Sequence, residues 1–326
     1  MHRFKTLISM LFASAAFALL LLFPAQASSG AVRGLDVCAR VIIPSLFPFF
    51  VLSSILTGAL SGMSIPLLRP IGLLFRIPKG AEYLLISALL GGYPVGAQAV
   101  AAAYQRGELD QSQAERMLSC CNNPGPSFLF GMVSFLFSDK HSVWLLWGIT
   151  ILSAIMVAKV FYTEASEAKM TALSNQTSIK SMEIAVKAMG CVCGWIIVFR
   201  VLISFFSRWF LWRVPIGVQA VLIGFLELSN ACYELSHLSS MESRFLICGC
   251  ILSFGGLCVT MQTSSVIGNL SMKHYCTGKI LQTLFSFILC ISILRKFWVI
   301  PIAALGFACI PWKYKKRSRF PRKAIV

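Results

Sequence analysis

Apolar stretches separated by short polar or basic turns recur along almost the whole chain. They fall at Leu7–Phe23, 35–58, Ala81–Tyr104, Met117–Ser138, Val143–Tyr162, Ile184–Phe206, Val214–Tyr233, Phe245–Gln262, Ile280–Leu294 and Trp298–Ile310. A helix needs ~20 such residues to cross a bilayer. The pattern therefore predicts an all-α fold, a polytopic transmembrane helix bundle of about ten crossings. Several runs carry residues that spoil a helix. Pro44 and Pro48 kink the second, where Asp36 and Arg40 are spaced to pair. Residues 59–80, punctuated by Gly62, Pro66, Pro70 and Pro78, are too short to span and read as a re-entrant or surface-lying segment.

The strongest interruption is Cys121-Asn122-Asn123-Pro124-Gly125-Pro126, inside the uncharged run Met117–Ser138. Two prolines remove backbone donors and Gly125 permits angles that other residues avoid. A helix is expected to break here at membrane depth. Broken backbone in a bilayer needs protein or a wet cavity around it, and interrupted helices are where secondary transporters hold their substrates. Gly91-Gly92-Tyr93-Pro94 spoils the preceding run in the same way.

Gly91-Gly92-x-x-Val95-x-x-Gln98 recurs as Gly255-Gly256-x-x-Val259-x-x-Gln262, which suggests an internal duplication with its two copies facing one cavity. The divisions expected are a first transmembrane helix or signal-peptide-like segment (1–30), a first half (31–162), a polar linker (163–183), a second half (184–311) and a basic cytoplasmic tail (312–326). Residues 24–28, Pro-Ala-Gln-Ala-Ser, have the outline of a cleavage site. The short turn that follows, with another span directly after it, favours a retained helix.

Glu227, in an otherwise apolar run, is costly in a bilayer and is expected to face a cavity. Asn230 lies three residues on, on the same helical face. The substrate-binding set expected is Gly91, Gly92, Gln98, Asn122, Asn123, Gly125, Glu227, Asn230, Thr260 and Gln262, with Glu227 and Asn230 gating the site or coupling it to protons. The plainer alternative for each glutamine is a helix–helix hydrogen bond, for the Asn122–Pro126 stretch a Pro-kinked helix without ligand or a loop at the membrane surface, and for Glu227 a surface residue at a helix end.

Composition narrows the classes. Hydrophobic residues make up 57% and charged residues 13%, about half the charged share of soluble domains. The net charge of +17 would suggest nucleic acid in a soluble protein; in a membrane protein it marks cytoplasmic loops, so no nucleic-acid partner is expected. Arg208, Arg213, Lys273, Lys279 and the tail are assigned to the cytoplasmic side on this rule. The twelve cysteines make no C-x-x-C pairs. No metal, no cofactor and no enzymatic activity are expected, since neither H-E-x-x-H nor G-x-S-x-G occurs.

The blocks Ile43-Pro44-Ser45-Leu46-Phe47-Pro48-Phe49, Gly91-Gly92-Tyr93-Pro94-Val95-Gly96, Cys121-Asn122-Asn123-Pro124-Gly125-Pro126 and Leu226-Glu227-Leu228-Ser229-Asn230 resemble those of YlbJ-type sporulation integral membrane proteins, in the nucleoside-recognition (Gate) domain family. The resemblance covers about 34 to 295. It implies two Gate-like halves and a multi-pass protein of the cell membrane, the outer forespore membrane in a spore former. It also implies a role in moving a spore solute, with dipicolinate the expected cargo. The partners that follow are a small polar or anionic solute, membrane lipids, and further copies of the chain or other sporulation membrane proteins. The rival reading is a non-transporting assembly protein of a sporulation complex.

Overall fold

The computed structural model describes residues 2–61, 63–161 and 178–310, with side chains from residue 10 onward apart from Phe12 and Ser178. The described residues are 81% helical and contain no strand. Most of the linker expected at 163–183 and the whole tail at 312–326 lie outside the described residues.

Helix α1 (His2–Leu22) stops at Phe23. Helix α2 (Pro24–Leu60) is a single apolar rod of 37 residues. Residues 24–30, read from the sequence as the end of a first segment, thus open the second helix instead. Pro44 leaves the Arg40 carbonyl without its helical donor, and the preceding turn, Cys38–Ile42, widens to a π-helix. Asp36 and Arg40 pair as expected, on the outer surface. The segment 61–83 carries the short helix α3 (Arg69–Leu74), pinned where Arg69 Nη1 donates to Glu82 Oε1 at 3.0 Å.

Two broken elements follow. Residues 84–91 end in a π-turn (Ser87–Gly91) before helix α4 (Val95–Gln105). Helix α5 (Gln111–Leu118) begins with a capping box, Asp110 Oδ1 accepting from Gln113 N and Gln113 Oε1 from Asp110 N, both at 2.8 Å. It halts at residues 119–125, and helix α6 (Pro126–Leu136) resumes the course. Helix α7 (Lys140–Val160) is straight.

The second part of the chain repeats this order of elements. A long helix α8 (Ser178–Trp209) is followed by two broken elements and a straight helix. The broken elements are α9 (Ile216–Leu226) with α10 (Leu228–Ser236), and α11 (Met241–Phe254) with α12 (Gly256–Val266). The straight helix is α13 (Lys273–Leu294), and α14 (Val299–Cys309) closes the described chain. The sequence pattern places the start of α13 at Ile280; its true start two turns earlier takes Lys279 out of a loop and into the bundle. Long helices α2 and α8 lie against each other, as do straight helices α7 and α13.

Among the described residues five helices, counting α11 and α12 as one, are long and apolar enough to cross a membrane, and four shorter apolar ones accompany them. Their exposed faces are lined with Leu, Phe, Val and Ile, as at Leu52, Val198, Leu222 and Phe287. The molecule is a multi-pass membrane protein.

Candidate functional site

The broken elements cross in pairs. In the first pair, Gly92 (φ +74°) backs onto Gly125; a Cβ on Gly125 would stand 2.8 Å from Leu90 O and 3.0 Å from Gly92 N. Glycine at both positions is what lets the two interruptions touch. In the second pair, a Cβ on Gly256 would stand 3.0 Å from Gly224 O and 3.2 Å from Leu226 O, so the break at Gly255 abuts the break at Glu227. That second break lies within a run read from the sequence as one continuous helix.

The Asn-Asn-Pro-Gly-Pro interruption is deep inside the protein, with Asn122 0% and Asn123 2% exposed. Its side chains meet two other helices, α12 and α13, and through Gln282 reach a third, α7. Asn122 Nδ2 donates to Thr263 Oγ1 on α12 at 2.8 Å. Asn123 Nδ2 donates to Cys120 O at 2.6 Å, closing the turn. Gln282 Nε2 of α13 donates to Asn123 Oδ1 at 2.8 Å and to Thr150 O of α7 at 3.1 Å. Thr150 and Gln282 each lie near the middle of their helices, of 21 and 22 residues. If those helices span, the cluster sits near mid-bilayer.

Gln282 belongs to a polar seam on α13. Lys279, Gln282 and Ser286, spaced i, i+3 and i+7, share one face and all are buried. Lys279 Nζ donates to Gln282 Oε1 at 3.0 Å. Ser286 Oγ donates to Ser153 Oγ of α7 at 2.9 Å and bonds Ser253 Oγ of α11, directly before the Gly255 break. The seam thus runs from one helix interruption toward the other. Gly278 makes the approach close: a Cβ there would stand 2.7 Å from Ser119 O.

Of the residues singled out from the sequence, Gly91, Gly92, Gly125, Asn122 and Asn123 gather at the first crossing. Thr260 lies near this cluster, beside the Tyr275 hydroxyl, with its own Oγ1 donating back to Gly256 O at 3.0 Å. Gln262 is buried with its amide on Cys258 Sγ at 3.3 Å. Glu227 and Asn230 do not join the cluster. Glu227 is not on a helical face with Asn230; it is extended (φ −151°) and caps α10. Oε1 accepts from Ser229 N, and Oε2 from Ser229 Oγ, Asn230 N and Asn230 Nδ2, all within 2.7–2.9 Å. A carboxylate so fully engaged with its own turn is a structural cap. It is buried, at 3% exposed, so it is not the surface residue of the alternative reading either.

Gln98 is elsewhere. It lines a cavity of about 240 Å³ between α2, α4 and α8. Ser54, Thr57 and Ser87 supply hydroxyls to the walls, and Gln105 and Arg106 stand at the far end. Arg106 is held by Glu108, its Nε donating to Oε1 at 2.6 Å, while Ser61 Oγ donates to the same oxygen at 2.9 Å and Tyr83 to Oε2. Burial alone would push the Glu108 carboxyl up; the hydrogen bonds from Arg106 and Tyr83 outweigh it and hold the carboxyl below its usual range. Helix α4 stands between this cavity and the Asn-Asn cluster.

Lys279, Gln282, Ser286, Thr150, Ser153 and Ser253 were missed in the sequence. The available clue was the i, i+3, i+7 spacing of Lys279, Gln282 and Ser286 in an apolar helix. Among the described residues no three of His, Cys, Asp and Glu gather at metal distance.

These features define a polytopic helical membrane protein whose interrupted helices enclose a polar interior. A relative of this class is the sporulation integral membrane protein YlbJ of Bacillus subtilis (strain 168), 35% identical over 127 residues. The match takes in 37% of this chain and 30% of that protein's length. The similarity to YlbJ expected from the sequence blocks is therefore present. No family model matches the chain, and the Gate-domain label stays an expectation. No solved structure matches it either.

Proposed function

We propose that the protein moves a small polar or anionic solute across the membrane. The observation that carries this reading is the fully buried polar cluster at the Asn122–Asn123 interruption, seated against the middle of two spanning helices. Polar side chains at that depth are costly and are kept where something polar must pass or bind. The repeated order of elements and the two glycine crossings support an assembly of two similar halves rocking about a shared centre, the usual architecture of secondary transporters. The cavity lined by Gln98 and Arg106 would serve as a vestibule, with α4 as the wall that shifts. The similarity to a sporulation integral membrane protein supports a sporulation-linked role in the cell membrane, and the resemblance of the sequence blocks makes dipicolinate the first cargo to try.

In purified proteoliposomes, Asn123→Ala should cut flux at least tenfold while membrane insertion is kept, since it removes the Gln282 and Cys120 bonds together. Gln98→Leu should slow flux with little change in stability. Normal flux in both variants would overturn the site. No flux with the intact protein, whatever the solute, would favour the non-transporting assembly role.

A further inference from the structure

Two of the runs that hydropathy reads as crossings turn back halfway. Residues 84–91 and α4 are the arms of one hairpin. Its two ends meet where Tyr83 donates to Glu108 Oε2 and Arg106 Nη2 donates to the Tyr83 hydroxyl at 3.0 Å. A Cβ on Gly96 would stand 3.3 Å from Ala88 Cα, so the arms pack side by side below the Gly92 tip. Helices α9 and α10 form a second hairpin. A Cβ on Gly217, at its start, would stand 3.8 Å from Leu238 Cδ1, just past its end. Beside the Glu227 tip, a Cβ on Gly224 would stand 3.2 Å from Ala231 Cβ. Helices α4 and α9 have 11 residues each and α10 has 9. Such an arm rises about 16 Å, roughly half of a ~30 Å hydrocarbon core.

The hairpins enter from opposite faces. At the base of the first, Glu108 accepts from Ser61 at the end of α2. On the same face Ser271 N, before α13, donates to Glu115 Oε1 of α5 at 3.0 Å, and a Cβ on Gly268, after α12, would stand 3.7 Å from Gln105 Nε2. Phe161, after α7, lies here too, its ring 5.5 Å from that of His274. Lys159 Nζ donates to Ile310 O at 3.0 Å, which puts the last described residue before the basic tail on this face. At the base of the second hairpin, Arg244 Nη2 donates to Leu238 O and its Nη1 to Leu136 O, at the end of α6, at 2.6 Å. Helices α2 and α8 run antiparallel between the two faces: Gln26 Nε2 donates to Ser204 O at 2.9 Å, while Ser54 and Ala185 line one cavity. Each element of the second half therefore runs opposite to its counterpart, α8 to α2, α11–α12 to α5–α6, and α13 to α7. Arg106, Lys159, Lys273 and the basic residues of the tail mark their shared face as cytoplasmic. Arg208 and Arg213, assigned by charge to the cytoplasm, then lie on the outer face.

We infer that the two halves are inverted repeats, in which residues 84–105 close the polar interior from the cytoplasm and residues 216–236 close it from outside. The first tip backs onto Gly125, just after Asn123, and the second onto Gly256, just after Ser253, so each hairpin covers one end of the polar seam. The matched Gly-Gly-x-x-Val-x-x-Gln segments are not counterparts in this pairing: one opens a hairpin arm, the other a half of a crossing helix. The gating role rests on the transport reading; the arrangement of the hairpins does not.

The test is labelling of introduced cysteines in intact cells by a membrane-impermeant maleimide, with wild type as the background. Trp212→Cys and Ser239→Cys flank the second hairpin, Gln111→Cys and Lys273→Cys lie on the tail's face, and all four positions are exposed. The first two should both label in intact cells, the other two only after permeabilisation. Label on opposite faces for Trp212→Cys and Ser239→Cys, as a spanning helix requires, would overturn the inference, and so would exchange of the two pairs. Gating is read with Gly224→Cys and Ile251→Cys together, since a Cβ on Gly224 would stand 3.3 Å from Ile251 Cβ, near the ~3.8 Å of a disulfide. Diamide, taking up two electrons and two protons as the S–S bond forms, should stop dipicolinate flux in proteoliposomes, and a thiol reductant should restore it. Full flux with the linked peptides confirmed by mass would remove the gate. The expected labelling with no wild-type flux of any solute would defeat the transport reading alone. Opposite-face labelling with flux intact would defeat this inference alone.

Discussion

Replacing Glu227 separates a structural cap from a solute-coupling acid. Its two oxygens receive four donors: two backbone N–H groups, the Ser229 hydroxyl and the Asn230 amide. In Glu227→Gln the remaining carbonyl oxygen can take the place of Oε2 and keep three of them. The new NH2 group then faces Ser229 N, which loses its acceptor. One buried unsatisfied donor costs about 1–3 kcal/mol, partly offset because a neutral amide is easier to bury than a carboxylate. The net expected is about 1–2 kcal/mol. Glu227→Ala strands all four donors and removes the cap, itself worth about 0.5–2 kcal/mol, so its loss should be at least twice that of Gln. Glu227→Asp should fall between them, since Asp is a good capping residue with a shorter reach. Melting of the purified variants, followed by size-exclusion of heated samples, gives the order wild type, Gln, Asp, Ala. If Ala melts no lower than Gln, or if Gln matches wild type in stability yet abolishes flux, the carboxylate is not a cap but a working acid.

Two further outcomes follow from the geometry. Gly125→Ala would drive a methyl into the Leu90 carbonyl and the Gly92 backbone, so melting should fall by the equivalent of about 1–3 kcal/mol; an unchanged melting point would mean the two interruptions do not touch. Glu108 contributes a pH dependence of definite sign. Its folded-state pKa is depressed from the ordinary 4.5, so its stabilisation is complete above that value and is lost as pH falls through the folded-state pKa. Stability measured from pH 6 downward should fall less steeply in Glu108→Gln than in wild type, and equal slopes would contradict the pairing with Arg106.

The bundle was legible because lipid enforces it. Every spanning segment must satisfy its own backbone and turn apolar side chains outward, so hydropathy alone found nearly all the helices. Breaks announced by Pro and Gly, at Gly91–Pro94 and Asn122–Pro126, were legible too. The break at Glu227 was not, because its cue is a carboxylate folding back on its own turn, which a periodic reading takes for a helical face. Lys279 was misplaced for a similar reason. A lysine near a predicted helix end looks like a loop cation, and only the packing of Gly278 against Ser119 shows that α13 carries it into the core. The polar seam joins residues far apart in the chain, such as Asn123 and Gln282, and no local pattern reveals such a pairing.

The measurement that tests the central claim most directly is solute flux into liposomes holding only this protein, with dipicolinate and succinate as labelled solutes and protein-free liposomes as the baseline. The account predicts saturable uptake above that baseline, lost with Asn123→Ala. Uptake no faster than in protein-free liposomes for every polar or anionic solute tried, from protein shown to be folded by its melting transition, would contradict it.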